Sequence, residues 1–287
     1  VSVVPNVDVV VVTYNPGTTL VAFLDSVPRA GGVASVTVVD SASPEQTAKA
    51  VARERGVRFF AMPLNRGYGA AANAGVSLGS APWVAVCNAD IELGKDAFIT
   101  LVRAGEQDSA IAAVGPRILE PDGKIYPSAR PLPSLWLGVG HAAWGRVWPG
   151  NPWSKRYRPA IDPSEGIKDV GWLSGSCLVI RREAFEAVGG FDEGFFMFME
   201  DVDLCRRLGR LGWRCRWVPE AVVTHLGGHT WRADPAPMIR AHHASATRYV
   251  SLVYPRWYHA PLRKALGLGL RLRQRTEVAV AHRAKAD

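Results

Sequence analysis

Short runs of β-branched residues alternate with Ala-rich or polar stretches of helical length along the first third of the chain. This is the pattern of βαβ units built around a parallel sheet. The apolar runs predict strands at Val7–Thr13, Ser35–Asp40, Val57–Met62 and Trp83–Asn88, with helices between them at Thr18–Ser26, Pro44–Arg55 and Gly69–Leu78. The fold class expected is therefore α/β, with a mixed, mainly parallel sheet flanked by helices. In such open sheets a ligand binds outside the carboxyl ends of the strands. Those ends carry Thr13-Tyr14-Asn15, Asp40-Ser41, Asn65-Arg66-Gly67 and Asn88-Ala89-Asp90.

From Pro127 to Pro163 the texture changes to an aromatic, Pro- and Gly-rich stretch, including Trp136 to Trp153. A loop that long inside a compact domain is usually functional or mobile. A strand near Gly171–Arg181 and helices near Glu183–Val188 and Val202–Leu211 follow, and a helical tail begins after about residue 240. The chain is expected to divide into a body over 1–240 and a basic helical segment over 241–287. Within the body, a first half ends near 115 and a second runs from about 116 to 240.

A chain of 287 residues that is 48% hydrophobic can bury one large core. Its longest apolar runs fall far short of the roughly 20 residues that cross a bilayer, and its start lacks the pattern of a signal peptide. The expectation is a cytoplasmic protein, peripheral at the inner face of the cell membrane. Cys87, Cys177, Cys205 and Cys215 form no Cys-x-x-Cys pair and read as reduced, buried thiols. Of the net charge of +8, residues 256–287 supply eight basic and two acidic side chains, or +6. Charge gathered in one terminal segment argues against nucleic acid and for an anionic membrane surface.

Three places carry candidate chemistry. Asp90 ends an apolar strand, where it can hold a divalent cation with Asn88 beside it, or simply cap a turn. Glu200, Asp201 and Asp203 follow the apolar run Phe195–Met199. At the first turn of a helix they either complement the helix dipole or, desolvated by the aromatics, supply a general base. His225 follows the apolar stretch Trp217–Val223; Gly227 and Gly228 separate it from His229, which argues for a loop rather than a helical zinc pair. A rival comes from Gly67-Tyr68-Gly69-Ala70-Ala71-Ala72, which fits a dinucleotide fingerprint with Asp90 about 20 residues on. That fingerprint normally follows the first strand, whereas here two βα units precede it, and the acids at 200–203 are left without a role.

Taken in order, Val9–Asn15, Asp40–Ser43, Asn65–Asn73, Asn88–Asp90, Trp172–Cys177, Gly189–Asp192 and Phe196–Leu204 resemble family 2 of the glycosyltransferases over about residues 7–229. That family has the GT-A, Rossmann-like fold. Asp122–Arg130, Asn151–Trp153, Gly171–Cys177 and Ala241–His243 further resemble bacterial rhamnosyltransferases of the WbbL type, which act on polyprenyl-diphosphate-linked N-acetylglucosamine in cell-wall linker synthesis. Asn88 departs from the Asp of many members.

The resemblance implies an inverting, metal-dependent hexosyltransferase that uses dTDP-L-rhamnose, with another nucleotide sugar such as UDP-galactofuranose as the alternative. It implies that Thr13 and Asp40 hold the base, and Asn65 with Arg66 the nucleoside. Tyr14, Asn15, Ser41, Gly67, Asn73, Asn88 and Ala89 complete the donor site. Asp90 and His225 would hold Mg²⁺ or Mn²⁺, and Asp201 would be the base, supported by Glu200 and Asp203. On the acceptor side stand Arg130, Trp153, Trp172, Ser174 and Gly175. Arg pairs with phosphate and Trp favours the membrane interface, although the aromatic insertion also reads as a satellite hydrophobic cluster. In Leu262–Arg275 most leucines are expected on one helical face, opposite Arg263, Lys264, Arg271 and Arg275. That is an interfacial helix, or one packed on the body or on a second subunit of a homodimer.

Overall fold

The computed structural model describes residues 5–133, 148, 162–227 and 235–286, with side chains through 281. Trp153, His229 and nearly all of the Trp136–Trp153 stretch lie outside the described residues.

The first strand, β1 (Val7–Thr13), is buried along its whole length and pairs in parallel with β2 (Val33–Asp40) and β4 (Trp83–Asn88). The edge strand β3 (Arg58–Ala61) extends the parallel half beyond β2. Helices α1 (Thr19–Ala30), α2 (Thr47–Glu54) and α3 (Tyr68–Val76) make the crossovers. α1 runs a turn beyond the expected Ser26, through Pro28, because Val27 and Ala30 are buried in the core. Packing there outweighs the hydrogen bond a proline removes.

The second half continues through β5 (Ile91–Leu93), α4 (Ala97–Glu106), β6 (Ile111–Leu119), β7 (Ile125–Tyr126), β8 (Ala129–Arg130), β9 (Lys168–Val170), β10 (Trp172–Leu173), β11 (Cys177–Arg181) and β12 (Arg214–His225). The main sheet runs β3-β2-β1-β4-β11-β6-β12-β5, with β7 and β9 added beside β6 and β12. β11 is antiparallel to β4 and β6. Pro116 sits within β6 at a register shift opposite Val218, where a residue without an N–H is tolerated.

Helices α5 (Arg182–Ala187), α6 (Glu200–Arg210), α7 (Pro235–Val253) and α8 (Ala260–Ala286) complete the described α-helices. The boundary expected at 240/241 falls inside α7. That helix packs on the body: Tyr249 is buried with Phe195 and Val202, and Ser245 Oγ donates to the Met197 carbonyl. No described helix is long and apolar enough to cross a membrane. The four cysteines are free and buried.

The strand expected over Gly171–Arg181 is two strands. Trp172–Leu173 pairs with Ala129–Arg130 in a separate ribbon, and only Cys177–Arg181 enters the main sheet. The chain leaves the sheet at Ser174-Gly175-Ser176, and this break forms one wall of the site.

Candidate active site

Parallel register brings the carboxyl ends of β1, β2 and β4 side by side. Thr13 lies opposite Asp40, and Val12 opposite Asn88. Asp40 accepts hydrogen bonds from the Ser43 amide at 2.8 Å and the Ser43 hydroxyl at 2.5 Å. Ser43 Oγ in turn accepts from the Asn15 amide at 2.9 Å. The turn is fixed by left-handed backbone at Asn15 (φ 47°) and Ala42 (φ 59°). Ser41 is buried and donates its amide to the Thr13 carbonyl, while Tyr14 is exposed. Thr13 Oγ1 and Asn15 Oδ1 are buried with no hydrogen-bond partner. Orphaned polar atoms are rare in folded proteins and ask for a partner.

The loop between β4 and β5 carries Ala89, buried, and Asp90. His225, at the end of β12, places Nε2 3.1 Å from Asp90 Oδ2. The ring direction leaves Nε2 without a formal hydrogen bond. The Asp90 carboxylate nevertheless raises the imidazole above its ordinary pKa, against the opposing effect of burial. Two adjacent ligand atoms of a six-coordinate ion with ~2.1 Å bonds lie about 3 Å apart, so a carboxylate oxygen and an imidazole nitrogen at this spacing fit a divalent cation. No cluster of three or more His, Cys, Asp or Glu suited to a metal occurs among the described residues. A pair fits an ion that takes its remaining ligands from phosphates and water.

Across the crevice, α6 begins at Glu200, after Phe198 and Met199, which both have φ of 68°. Non-glycine residues in this region store strain, which concentrates at functional sites. The turn is held by Ser245 from α7 and by the Phe196 carbonyl, which accepts from the Tyr68 amide at 2.9 Å. Asp201 Oδ2 accepts from the Gly175 amide at 2.9 Å, and Oδ1 from the Val202 amide at 2.8 Å. The Tyr68 hydroxyl donates to the Gly175 carbonyl at 2.6 Å, clamping Gly175 from the other side. Burial raises the Asp201 carboxyl above its ordinary pKa, opposed by those two amides and by Arg130.

Burial, and then the charge of Asp201, push Glu200 up to about 8. Its Oε2 is an orphan. A carboxyl that stays protonated when folded but ionises near 4.5 when unfolded destabilises the fold as pH rises between those values. The melting temperature should therefore fall from about pH 5 to 8, and Glu200→Gln should flatten that dependence in a calorimetric pH series.

Asp203 faces away from the crevice. It is 1% exposed and bonds Arg206 and Arg207, each at 2.6 Å. This position corrects the expectation of a supporting acid: its carboxylate is spent on an internal ion network.

Arg130 lies 5.8 Å above the Trp172 ring and donates to the Pro127 carbonyl. Ser174 donates its amide to the Ser128 carbonyl, joining β10 to the chain before β8. Tyr126 connects the two sides: its ring meets His225 edge-on at 6.1 Å, and Arg130 and Asp201 both act on its phenol, which burial raises. Asn88 donates its amide to the Ser176 carbonyl at 2.9 Å, which ties the Asp90 loop to the Gly175 break.

Other expected donor residues also hold the loops around the crevice. Asn65 Oδ1 accepts from the Gly67 amide. Arg66 pairs with Glu193 at 2.7 Å. A Cβ at Gly67 would lie 2.0 Å from the Phe196 carbonyl oxygen, and Gly69 abuts Phe191. Asn73 exchanges two 2.9 Å hydrogen bonds with the Phe191 backbone. The space these glycines leave is filled by the protein itself, and the motif follows the edge strand β3; both observations remove the dinucleotide reading. Ser43, Tyr68 and Tyr126 are members of the site that the sequence did not single out. Each of the three lies within a quoted motif, and that proximity was the only available signal.

A parallel nucleotide-type half, joined at Asp90 to a mixed half in which the first turn of α6 presents Glu200 and Asp201, is the arrangement of a GT-A glycosyltransferase. Comparison with known proteins agrees. The model of glycosyl transferase family 2 matches residues 8–189, and that of glycosyl transferase family group 2 matches 154–275. The N-acetylglucosaminyl-diphospho-decaprenol L-rhamnosyltransferase of Mycobacterium tuberculosis is 44% identical over 279 residues, spanning 92% of this chain and 90% of the relative. Rhamnosyltransferase WbbL of Escherichia coli is 39% identical over 92 residues, or 31% of this chain and 35% of the relative. Among solved structures, the mannosyltransferase PcManGT from Pyrobaculum calidifontis, in complex with GDP-Man and Mn²⁺, superimposes with a TM-score of 0.56 at 21% identity, covering 99% of this chain and 75% of that one. GalNAc-T7 with UDP, GalNAc and Mn²⁺ gives 0.64 at 20% identity, covering 88% of this chain and 49% of that one. The chain belongs to glycosyltransferase family 2, and it is an enzyme of sugar transfer.

Proposed function

We propose that this enzyme transfers L-rhamnose, with inversion, from dTDP-L-rhamnose to N-acetylglucosaminyl diphosphate on a polyprenyl lipid, at a membrane surface in cell-wall linker synthesis. The observation that carries the reading is 44% identity to a rhamnosyltransferase of that acceptor class along nearly the whole chain. The orphaned polar atoms at Thr13, Asn15, Glu200 and His225 support a polar ligand across this crevice. UDP-galactofuranose is the alternative donor.

In this reading Thr13 and Asp40 meet the base, and Asn65 and Arg66 the nucleoside, with Arg66 exchanging Glu193 for the ligand. Asp90 and His225 hold Mg²⁺ or Mn²⁺. A bound divalent ion stabilises the charge that develops on the leaving diphosphate. Asp201 takes the proton of the attacking acceptor hydroxyl, and its two amide contacts fix the direction of the free lone pairs. Attack from the face opposite the leaving group inverts the anomeric centre. Arg130, stacked on Trp172, pairs with the acceptor diphosphate. Residues 1–240 with α7 form the catalytic body, and α8 is the membrane-facing segment.

Because Asp201 must be ionised to act and burial raises its pKa, kcat/KM should fall on acidification through a pKa higher than that of an ordinary aspartate. A pH–rate profile checks this. Donor identity is tested by thermal shift with dTDP-L-rhamnose, UDP-galactofuranose, UDP-N-acetylglucosamine and NADH. Protection by dTDP-L-rhamnose alone is expected, and protection by UDP-galactofuranose alone transfers the reading to the alternative.

A further inference from the structure

α8 has two apolar faces, a correction to the single leucine face expected from its sequence. Leu262, Leu266 and Leu270 are half-buried with Gly267 fully buried, and this side packs on α7. Arg263, expected opposite the leucines, instead donates to the Tyr254 and Arg256 carbonyls at 2.7 and 2.8 Å. The other side leaves Leu268 and Leu272 more than half exposed, one helical turn apart. Lys264, Arg271 and Arg275 are exposed beside them, at the three- and four-residue spacings that share a helix surface. At the turn between α7 and α8, Trp257 is 85% exposed and Tyr258 adjoins it.

α8 lies near the catalytic loop. Glu277 of α8 stands 3.7 Å from His243 of α7, and the neighbouring His242 meets the Phe198 ring at 5.6 Å, two residues before Glu200. Only α7, a rod about 10 Å across, separates α8 from the turn that presents Asp201.

We propose that Trp257, Tyr258, Leu268 and Leu272 dock on an anionic bilayer, with Lys264, Arg271 and Arg275 against the headgroups. The proposal rests on the lipid-linked acceptor of the previous subsection and specifies the surface that meets the lipid. Apolar side chains flanked by cations, with aromatic residues at one end, match the polarity profile of a membrane interface. Charge argues against a second copy of the chain as the occupant: a two-fold contact through this face would set the same row of Lys and Arg against itself.

Truncation at 260 would uncover α7, so point variants of the full chain make the test. In flotation with phosphatidylglycerol–phosphatidylcholine vesicles, Leu268→Glu/Leu272→Glu and, separately, Trp257→Ala should each lower partitioning at least ~10-fold. Added salt should weaken binding of the parent. Turnover on a water-soluble short-chain acceptor should stay within about twofold, since these side chains lie outside the site. Parent-like flotation of both variants overturns the proposal. So does a parent dimer that the variants render monomeric by light scattering, which would make the face a subunit interface. Flotation needs no donor, so a failed rhamnosyl transfer with intact vesicle binding overturns the donor assignment alone.

Discussion

Asp201→Asn should lower turnover by roughly 10²–10⁴-fold while donor affinity stays close to that of the parent. The variant keeps the shape of the side chain and removes its capacity to take a proton. Asp201 is the acid of the cluster to which the proposal gives this task, and its carboxylate is held by the Gly175 and Val202 amides at the crevice wall. Neighbouring acids give a sharp contrast. Asp203→Asn leaves two arginines without their shared carboxylate, and breaking a buried pair of this kind costs about 3–5 kcal/mol. It should appear first as a lower melting temperature. Glu200→Gln should retain most turnover, because its buried carboxyl is already largely protonated at neutral pH, with a pKa of about 8. Steady-state kinetics with melting curves for all three variants checks the assignment. Near-normal turnover in Asp201→Asn together with a collapse in Glu200→Gln would move the base by one residue.

Asp90→Ala should abolish metal-dependent donor binding and leave the fold intact. Mutations of outer-shell partners of a metal already cost about 10–100-fold in affinity or activity, so loss of the carboxylate itself should weaken dTDP binding in Mn²⁺ by at least ~10²-fold. His225→Ala should produce a smaller loss of the same kind, because the carboxylate remains. Calorimetric titration of dTDP with Mn²⁺ and with excess chelator separates the outcomes. Full affinity of Asp90→Ala in Mn²⁺, or equal parent affinity with and without chelator, removes the metal from the account.

β1 and β4 were legible in the sequence to the residue, because each is a buried apolar run closed by polar residues that project into the crevice. The separation of Asp201 from Asp203 was also legible, since two residues on a helix turn a side chain to a different face. Hydrophobic pattern did not reveal the break at Ser174–Ser176: the flanking residues are apolar on both sides, and the chain leaves the sheet to meet Asp201, a contact 26 residues away. Asn73 was misleading for a related reason. It lies in a motif expected to serve the donor, yet its amide fastens Phe191. In α8 a simple leucine count hid two faces, because one set packs on α7 and the other remains exposed. Such pairings depend on long-range packing, to which local periodicity is blind.

The central claim is tested most directly by transfer itself. The purified enzyme, supplied with Mg²⁺ or Mn²⁺, would be incubated with dTDP-L-rhamnose and polyprenyl-diphosphate N-acetylglucosamine in vesicles, with UDP-galactofuranose in a parallel reaction. Mass spectrometry of the lipid product and NMR of the new linkage then report the sugar and its anomeric configuration. The expected product carries a single added rhamnose with configuration inverted relative to the donor, with no addition from UDP-galactofuranose. Transfer of galactofuranose without rhamnose, or rhamnose added with retention, would contradict the central claim.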